Sequence, residues 1–171
     1  MDIVFSKYNS ILSKLIRFGT KSDSSHAAIR FGGDEANWMV HSTAHGVQPG
    51  WWNYFIRKAI VTHIFRINGI DENALEVAVD KCLDEVIGKS YDFKALIGLF
   101  ITTIIRLVTG KEIKNFMGSS KTYFCSEFVL KVSKVIEKET GFKIYDGEFE
   151  ETTPEDLLKQ SYSNPYLEEL K

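Results

Sequence analysis

The sequence is poor in cysteine and proline, and its charges nearly balance. Its 171 residues include two cysteines and three prolines, and the formal net charge is −2. Two cysteines without C-x-x-C spacing exclude a disulfide framework and a zinc-finger site. A near-neutral chain without a basic cluster gives no electrostatic reason to expect a nucleic-acid partner. We therefore expect reduced thiols, no bound metal or other cofactor, and no nucleic acid.

The sequence also lacks an apolar run that is long enough to cross a membrane. The longest run, residues 95–105, precedes Arg106 and has about half of the roughly 20 residues that a span needs. It predicts a buried helix, with a lipid-facing helix as the alternative. The N-terminal segment lacks the basic region and apolar run of a secretory signal. We expect a cytoplasmic protein without stable membrane insertion; peripheral contact, and delivery to a cell wall by another route, stay open.

The remaining composition is typical of one compact domain over residues 1–171. Hydrophobic residues make up 44% of the chain and aromatic residues 13%, enough for a substantial core. Alternation predicts strands at 2–5, 25–31, 37–42 and 59–67, and residues 46–50 are interpreted as a loop. Helical spacing predicts helices at 8–18, 72–87, 92–108 and 123–140, and a short helix that Thr153-Pro154 opens. Strands followed by helices predict an α+β fold, an antiparallel meander packed against helices.

Cys125 is the strongest candidate for chemistry because it lies where a polar break, residues 118–120, gives way to a helix. The free N–H groups and the dipole of a first helical turn favour a thiolate and can bind an oxyanion. The alternative is a core position, because Val129 and Val132 continue an apolar row from Cys125. Cys82 lies well inside a helical pattern and is interpreted as core.

Two histidines lie on predicted strands where they can serve such a thiol. His26 shares a strand face with the small Ala28, which would let the cysteine helix approach the imidazole. If the next strand is a neighbour, His41 lies beside His26. A cysteine, a histidine base and a second polar side chain that orients the base are the parts of a nucleophilic site. Each histidine taken alone is better explained as a partly exposed or hydrogen-bonded bystander, and only the combination favours a site.

Other residues compete for places around this site. His45 lies in the glycine-containing loop, from which it can reach substrate. Trp51 and Trp52 begin an aromatic cluster that forms either a wall beside the site or an anchor in the core. His63 alternates with apolar neighbours and is interpreted as structural.

Four segments together resemble a known family. They are Ser-His-Ala-Ala-Ile at 25–29, Met-Val-His-Ser at 39–42, Tyr-Asp-Phe at 91–93 and Tyr-Phe-Cys-Ser-Glu-Phe-Val at 123–129. In this order they resemble the circularly permuted NlpC-like branch of the papain-fold cysteine hydrolases, a superfamily related to lecithin:retinol acyltransferase-like proteins. The resemblance runs from about residue 2 to the Thr-Pro-Glu-Asp segment, nearly the whole chain.

The resemblance implies that Cys125 is the nucleophile, His26 the base and His41 the residue that orients the base. It also implies that Tyr91 lines the site, although Tyr91 and Asp92 are equally typical of helix entry. The thiolate would attack an amide or ester carbonyl and form a thioacyl-enzyme. Related proteins cleave cell-wall peptides, process other amides, or move acyl chains between lipids, so the family alone does not fix the substrate.

Three hypotheses follow from these observations. The first is a cysteine peptidase or amidase, with cell-wall peptides as the leading substrate. The second is a lipid acyltransferase or thioesterase that uses the same Cys-His site. The third is an idle binding module, or a site in which His26, His41 and Cys125 hold a metal ion.

Overall fold

The computed structural model describes residues 1–32, 37–43, 45–89, 105, 109–110, 124–149 and 152–170. The strands are β1 (Asp2–Tyr8), β2 (His26–Phe31), β3 (Trp38–Thr43), β4 (Gly46–Trp51), β5 (Ala59–Ile67) and β6 (Leu167–Glu169). The helices are α1 (Ile11–Thr20), α2 (Trp52–Phe55), α3 (Glu72–Val86), α4 (Cys125–Thr140) and α5 (Pro154–Ser163). Within these described residues, no helix is both long and apolar enough to span a membrane.

The strands form one six-stranded sheet in the order β4-β3-β2-β1-β5-β6. Every neighbouring pair is antiparallel. The register pairs Ser6 of β1 with His26 of β2, and Ala28 of β2 with His41 of β3. The sheet and its helices confirm the α+β class that the order of elements predicts.

The two faces of the sheet differ in what covers them. On the helix-covered face, β-strand side chains share one core with α3, α4 and α5: Ile3, Phe5, Ala27, Ile29, Val40, Val47, Phe65 and Ile67. On the opposite face, which we call the histidine face, a smaller cluster joins Val4, Ala28 and Met39 to Phe55 and Ala59. Alternation places His26 and His41 on this second face, beside Ala28.

Local capping explains where the helices begin and end. Ser10 accepts the N–H of Ser13 at the start of α1, and Asp71 accepts the N–H of Ala74 at the start of α3. At the end of α4, Gly141 adopts a left-handed conformation with φ of 79°, which glycine reaches without strain. Thr153 caps α5, and Pro154 occupies its first turn, as the sequence predicts.

The predicted loop at residues 46–50 is wrong, because this segment forms strand β4. Its glycines and Pro49 suggest a turn, but β4 is the outer strand of the sheet. A proline can occupy an edge strand because the missing N–H faces away from the partner strand. Short β6 was also not foreseen. The predicted helix at 92–108 falls almost entirely outside the described residues.

Candidate active site

Cys125 is the first residue of α4, and polar contacts fix this end of the helix. The Glu127 carboxylate accepts the N–H of Phe124 at 3.0 Å, which satisfies a donor at the helix start. The hydroxyl of Ser126 donates to the backbone carbonyl of Thr152 at 2.7 Å. The second bond attaches the start of α4 to the chain just before α5, so two parts of the chain fix the position of Cys125.

Burial dominates the electrostatics of the Cys125 sulfur. The side chain is buried, and the thiol donates to the backbone carbonyl of Ser25, with 4.0 Å between Sγ and the oxygen. Burial raises the pKa of Cys125 to about 11, although backbone N–H groups of Ala27, Ser126 and Cys125 itself act in the opposite direction. The helix start therefore stabilises the thiolate as expected, but desolvation outweighs it and the resting group is a thiol.

His26 and His41 are neighbours, as the strand pattern predicts. Their rings make an edge-to-face contact with 5.5 Å between centroids. Phe55 packs against both rings, with centroids 6.2 Å from His26 and 5.7 Å from His41. Gly50 of β4 leaves room beside them, because a Cβ atom at this position would lie 3.4 Å from Nε2 of His41.

Both imidazoles are held in the neutral form. Burial lowers the pKa of His26 to about 3, and the charge of His41 contributes. Burial also lowers the pKa of His41 to about 4. Among the described residues, Nε2 of His26 and Nδ1 of His41 are buried without a hydrogen-bond partner. Buried polar atoms are normally bonded, so these two nitrogens need an explanation, and a catalytic role is one that fits them.

The cysteine helix reaches His26 by a different route from the one expected. We expected α4 to approach the face that carries His26 and Ala28, but α4 packs on the helix-covered face against Ala27 and Ile29. The reason is that this face is apolar, whereas the histidine face carries ionic and imidazole side chains. Cys125 instead meets the beginning of β2, at the carbonyl of Ser25.

A cavity of about 300 Å³ lies beside the start of α4 and the start of β2. Cys125 and His26 both line it. The described residues that complete its wall are Tyr8, Ser10, Leu12, Ser13, Ile16, Ser25, Ser42 and Thr43. The wall is therefore partly apolar, from α1, and partly hydroxylated, from β3 and the loop before β2.

Three of the other predicted residues, His45, Trp51 and Trp52, are not among the described residues of this wall. His45 is exposed in the turn before β4, where its backbone N–H donates to the Thr43 hydroxyl at 3.2 Å. Trp51 is exposed at the end of β4. Trp52 stacks on Phe55, with 5.7 Å between centroids, and so lies one ring away from the histidines. Tyr91 falls outside the described residues.

Tyr8 is the main site residue that the sequence analysis missed. Its ring contacts that of His26 at 5.7 Å between centroids. Burial and the charge of an ionised Cys125 raise the pKa of Tyr8 to about 12. Alternation along β1 could have revealed it. Val4, Ser6 and Tyr8 lie on one face of β1, and Ser6 pairs with His26, so Tyr8 lies on the same face of the sheet as His26.

His63 and Cys82 lie apart from the cavity, as the sequence predicts. His63 of β5 shares a hydrogen bond with Glu169 of β6 at 2.8 Å. Cys82 is fully buried in α3, and burial raises its pKa to about 12. Within the described parts of the chain, no three His, Cys, Asp or Glu side chains are grouped closely enough to hold a metal ion.

Comparison with known proteins supports the fold alone. No family model matches the chain, and no curated protein is similar to it in sequence. Among solved structures, the chain is similar to metalloprotein yiiX from Escherichia coli O157:H7, DUF1105, with a TM-score of 0.63 and 16% sequence identity. The match covers 99% of this chain and 94% of that one, so the two folds are alike over nearly their whole length.

Proposed function

We propose that this protein is a cysteine-dependent hydrolase of the circularly permuted papain-like type that cleaves an amide bond, with cell-wall peptides as the leading substrate. One observation carries the proposal: the thiol at the start of α4 and a buried imidazole whose Nε2 has no hydrogen-bond partner line the same cavity. A nucleophile, a base within one pocket and free N–H groups for an oxyanion are what acyl transfer requires.

The neutral resting pair implies general-base catalysis. His26 takes the proton of Cys125 while the sulfur attacks the carbonyl carbon, and the carbonyl oxygen becomes an oxyanion. The N–H of Cys125, in the first turn of α4, is the donor we assign to that oxyanion. The tetrahedral intermediate then collapses. The amine leaves with the proton from His26, and the acyl group stays on the sulfur as a thioacyl-enzyme.

In hydrolysis of the thioacyl group, water is the nucleophile and the thiolate is the leaving group. His26 removes a proton from water, the hydroxide attacks the thioester carbonyl, and the thiolate leaves and regains its proton from His26. We assign His41 to positioning, because its ring packs against His26 together with Phe55. A neutral thiol and a neutral imidazole avoid the desolvation of a permanent thiolate-imidazolium pair at this buried position.

A lipid acyltransferase or thioesterase is the second candidate, and the cavity wall favours it. Leu12 and Ile16 of α1 give one side of the cavity an apolar surface. An acyl chain would fit such a surface, whereas a polar peptide would need the hydroxyl groups of Ser42 and Thr43 on the other side. The covalent step on Cys125 is the same for both substrates.

The similarity to yiiX, a metalloprotein, does not extend to a metal site in the described part of this chain. The metal alternative requires His26, His41 and Cys125 to converge as ligands, and these side chains do not form such a group. We therefore derive no step through a metal ion.

Acylation of Cys125 tests the proposal directly. Purified protein is incubated with p-nitrophenyl butyrate, quenched in acid and mapped by mass spectrometry for the thiol that carries the acyl group. We expect the adduct on Cys125, its loss in Cys125→Ala, and acylation at least about a hundredfold slower in His26→Gln. Cys82→Ala is the matched control, because it removes a thiol that lies outside the cavity. Equal labelling of both cysteines would contradict the proposal.

Substrate panels then separate the two candidates. Wild-type protein and Cys125→Ala are offered peptide amides, including cell-wall peptides, and phospholipids. Turnover of peptides alone supports the amidase, whereas transfer or release of lipid acyl chains alone replaces it with the second candidate.

A further inference from the structure

Helix α1 has the reverse of the usual arrangement of polar and apolar side chains. Ser13 is its buried residue, and its hydroxyl accepts the N–H of Tyr8 at 3.1 Å and bonds the hydroxyl of Ser25 at 2.6 Å. The side chain that the helix buries is thus polar, while Leu12 and Ile16 line the cavity. A surface helix ordinarily turns its apolar side to the core.

The outer side of α1 is apolar and exposed. Ile11, Leu15 and Phe18 recur at the spacing that places side chains on one face of a helix. Their exposed fractions are 79%, 41% and 76%. Large apolar side chains grouped in this way mark an interaction surface more often than chance. We call these three residues the outer face of α1.

The outer face continues towards the cavity. Leu12 is 50% exposed, and it also lines the cavity that holds Cys125. Any partner that covers the outer face would therefore lie beside the cavity wall formed by α1.

Cationic side chains accompany the outer face. The segment 11–21 contains Lys14, Arg17 and Lys21 and no acidic residue. Among the described residues, none of these three makes an ion pair with a carboxylate. Lys14 and Lys21 are exposed, so their positive charge is available to an anionic partner.

We propose that α1 docks on an anionic lipid bilayer, with its outer face in the interface and its lysines among the headgroups. Apolar side chains with cations beside them are the pattern of helices that lie in a membrane surface. Ile11 and Phe18 are highly exposed and project outwards, so both can enter a planar lipid surface at the same time. The proposal concerns membrane contact and does not depend on the chemistry of Cys125.

Vesicle sedimentation tests the proposal. The full-length protein is mixed with phosphatidylcholine vesicles, with or without about one third phosphatidylglycerol, and the bound fraction is measured. We expect binding to the anionic vesicles. Phe18→Ser should weaken it about tenfold, because a large apolar side chain no longer enters the interface. Lys14→Gln should weaken it about fivefold, and only on anionic vesicles.

Val77→Ser is the matched control, because Val77 is 52% exposed on the distant helix α3. It should bind as the wild type does, as should Cys125→Ala. All of the substituted side chains except Cys125 are exposed, so melting temperatures should match and exclude unfolding as the cause. Absence of vesicle binding by the wild type would overturn the proposal, as would unchanged binding by Phe18→Ser. A concentration-dependent dimer that Phe18→Ser abolishes, without vesicle binding, would assign the outer face to a second copy instead.

Discussion

Lowering the pH from 7 to 5 should destabilise this protein through its two buried histidines. The pKa values of His26 and His41 fall to about 3 and about 4 in the folded chain, whereas an unfolded histidine titrates near 6.5. Below about pH 6.5 the unfolded state binds protons that the folded state cannot, so stability is lost as the pH falls. Each such group costs about 1.4 kcal/mol per pH unit, and the two together cost about 4 kcal/mol by pH 5.

Urea unfolding at several pH values measures this loss. The wild type should lose about 4 kcal/mol of unfolding free energy between pH 7 and pH 5, and His26→Gln about half of that. Carboxylates titrate mostly below this window and contribute little. His45→Gln is the matched control, since it removes a histidine from an exposed turn, and its pH dependence should follow the wild type. A flat profile in the wild type, or equal slopes in the wild type and His26→Gln, would show that the rings are not buried and neutral.

Two further predictions concern other buried groups. Burial raises the pKa of Cys125 to about 11. Its alkylation by iodoacetamide at pH 7 should therefore be at least about a hundredfold slower than that of a free thiol. A fast reaction whose rate levels off near neutral pH would contradict this prediction. Asp2→Asn should cost about 3 kcal/mol in urea unfolding, because the buried carboxylate accepts hydrogen bonds from Arg30 and Arg66; an unchanged midpoint would show that this cluster contributes little.

Strand alternation predicted the pairing of the two histidines but not the way the cysteine reaches them. The pattern around His26 and Ala28 fixes which side chains share a face, and the register of β2 with β3 confirms that His41 lies next to them. Which face a helix covers depends on the whole sheet. The residues that decide it, among them Phe5, Val40 and Phe65, come from three other strands, and no local pattern connects them.

The protonation state of Cys125 was also not predictable from the sequence. A cysteine at a helix start predicts a lowered pKa when the helix end is open to solvent. Here the contact with Ser25 and the wall of Tyr8 bury the sulfur, and burial depends on residues at least 100 positions earlier. The sequence correctly predicted that the helix start lowers the pKa of Cys125. It could not predict the larger increase that burial causes, because burial depends on tertiary contacts.

The loop and helix between β1 and β2 connect the proposed catalytic site with the proposed membrane surface. The Ser25 carbonyl accepts from the Cys125 thiol, and the Ser25 hydroxyl bonds Ser13 at 2.6 Å. Through these two bonds, the buried side of α1 and the nucleophile share one residue. A shift of α1 on a lipid surface would therefore act on the thiol and on the cavity wall together. Acylation of Cys125 should then respond to anionic vesicles in the wild type and not in Phe18→Ser, and a response in both would disconnect α1 from the site.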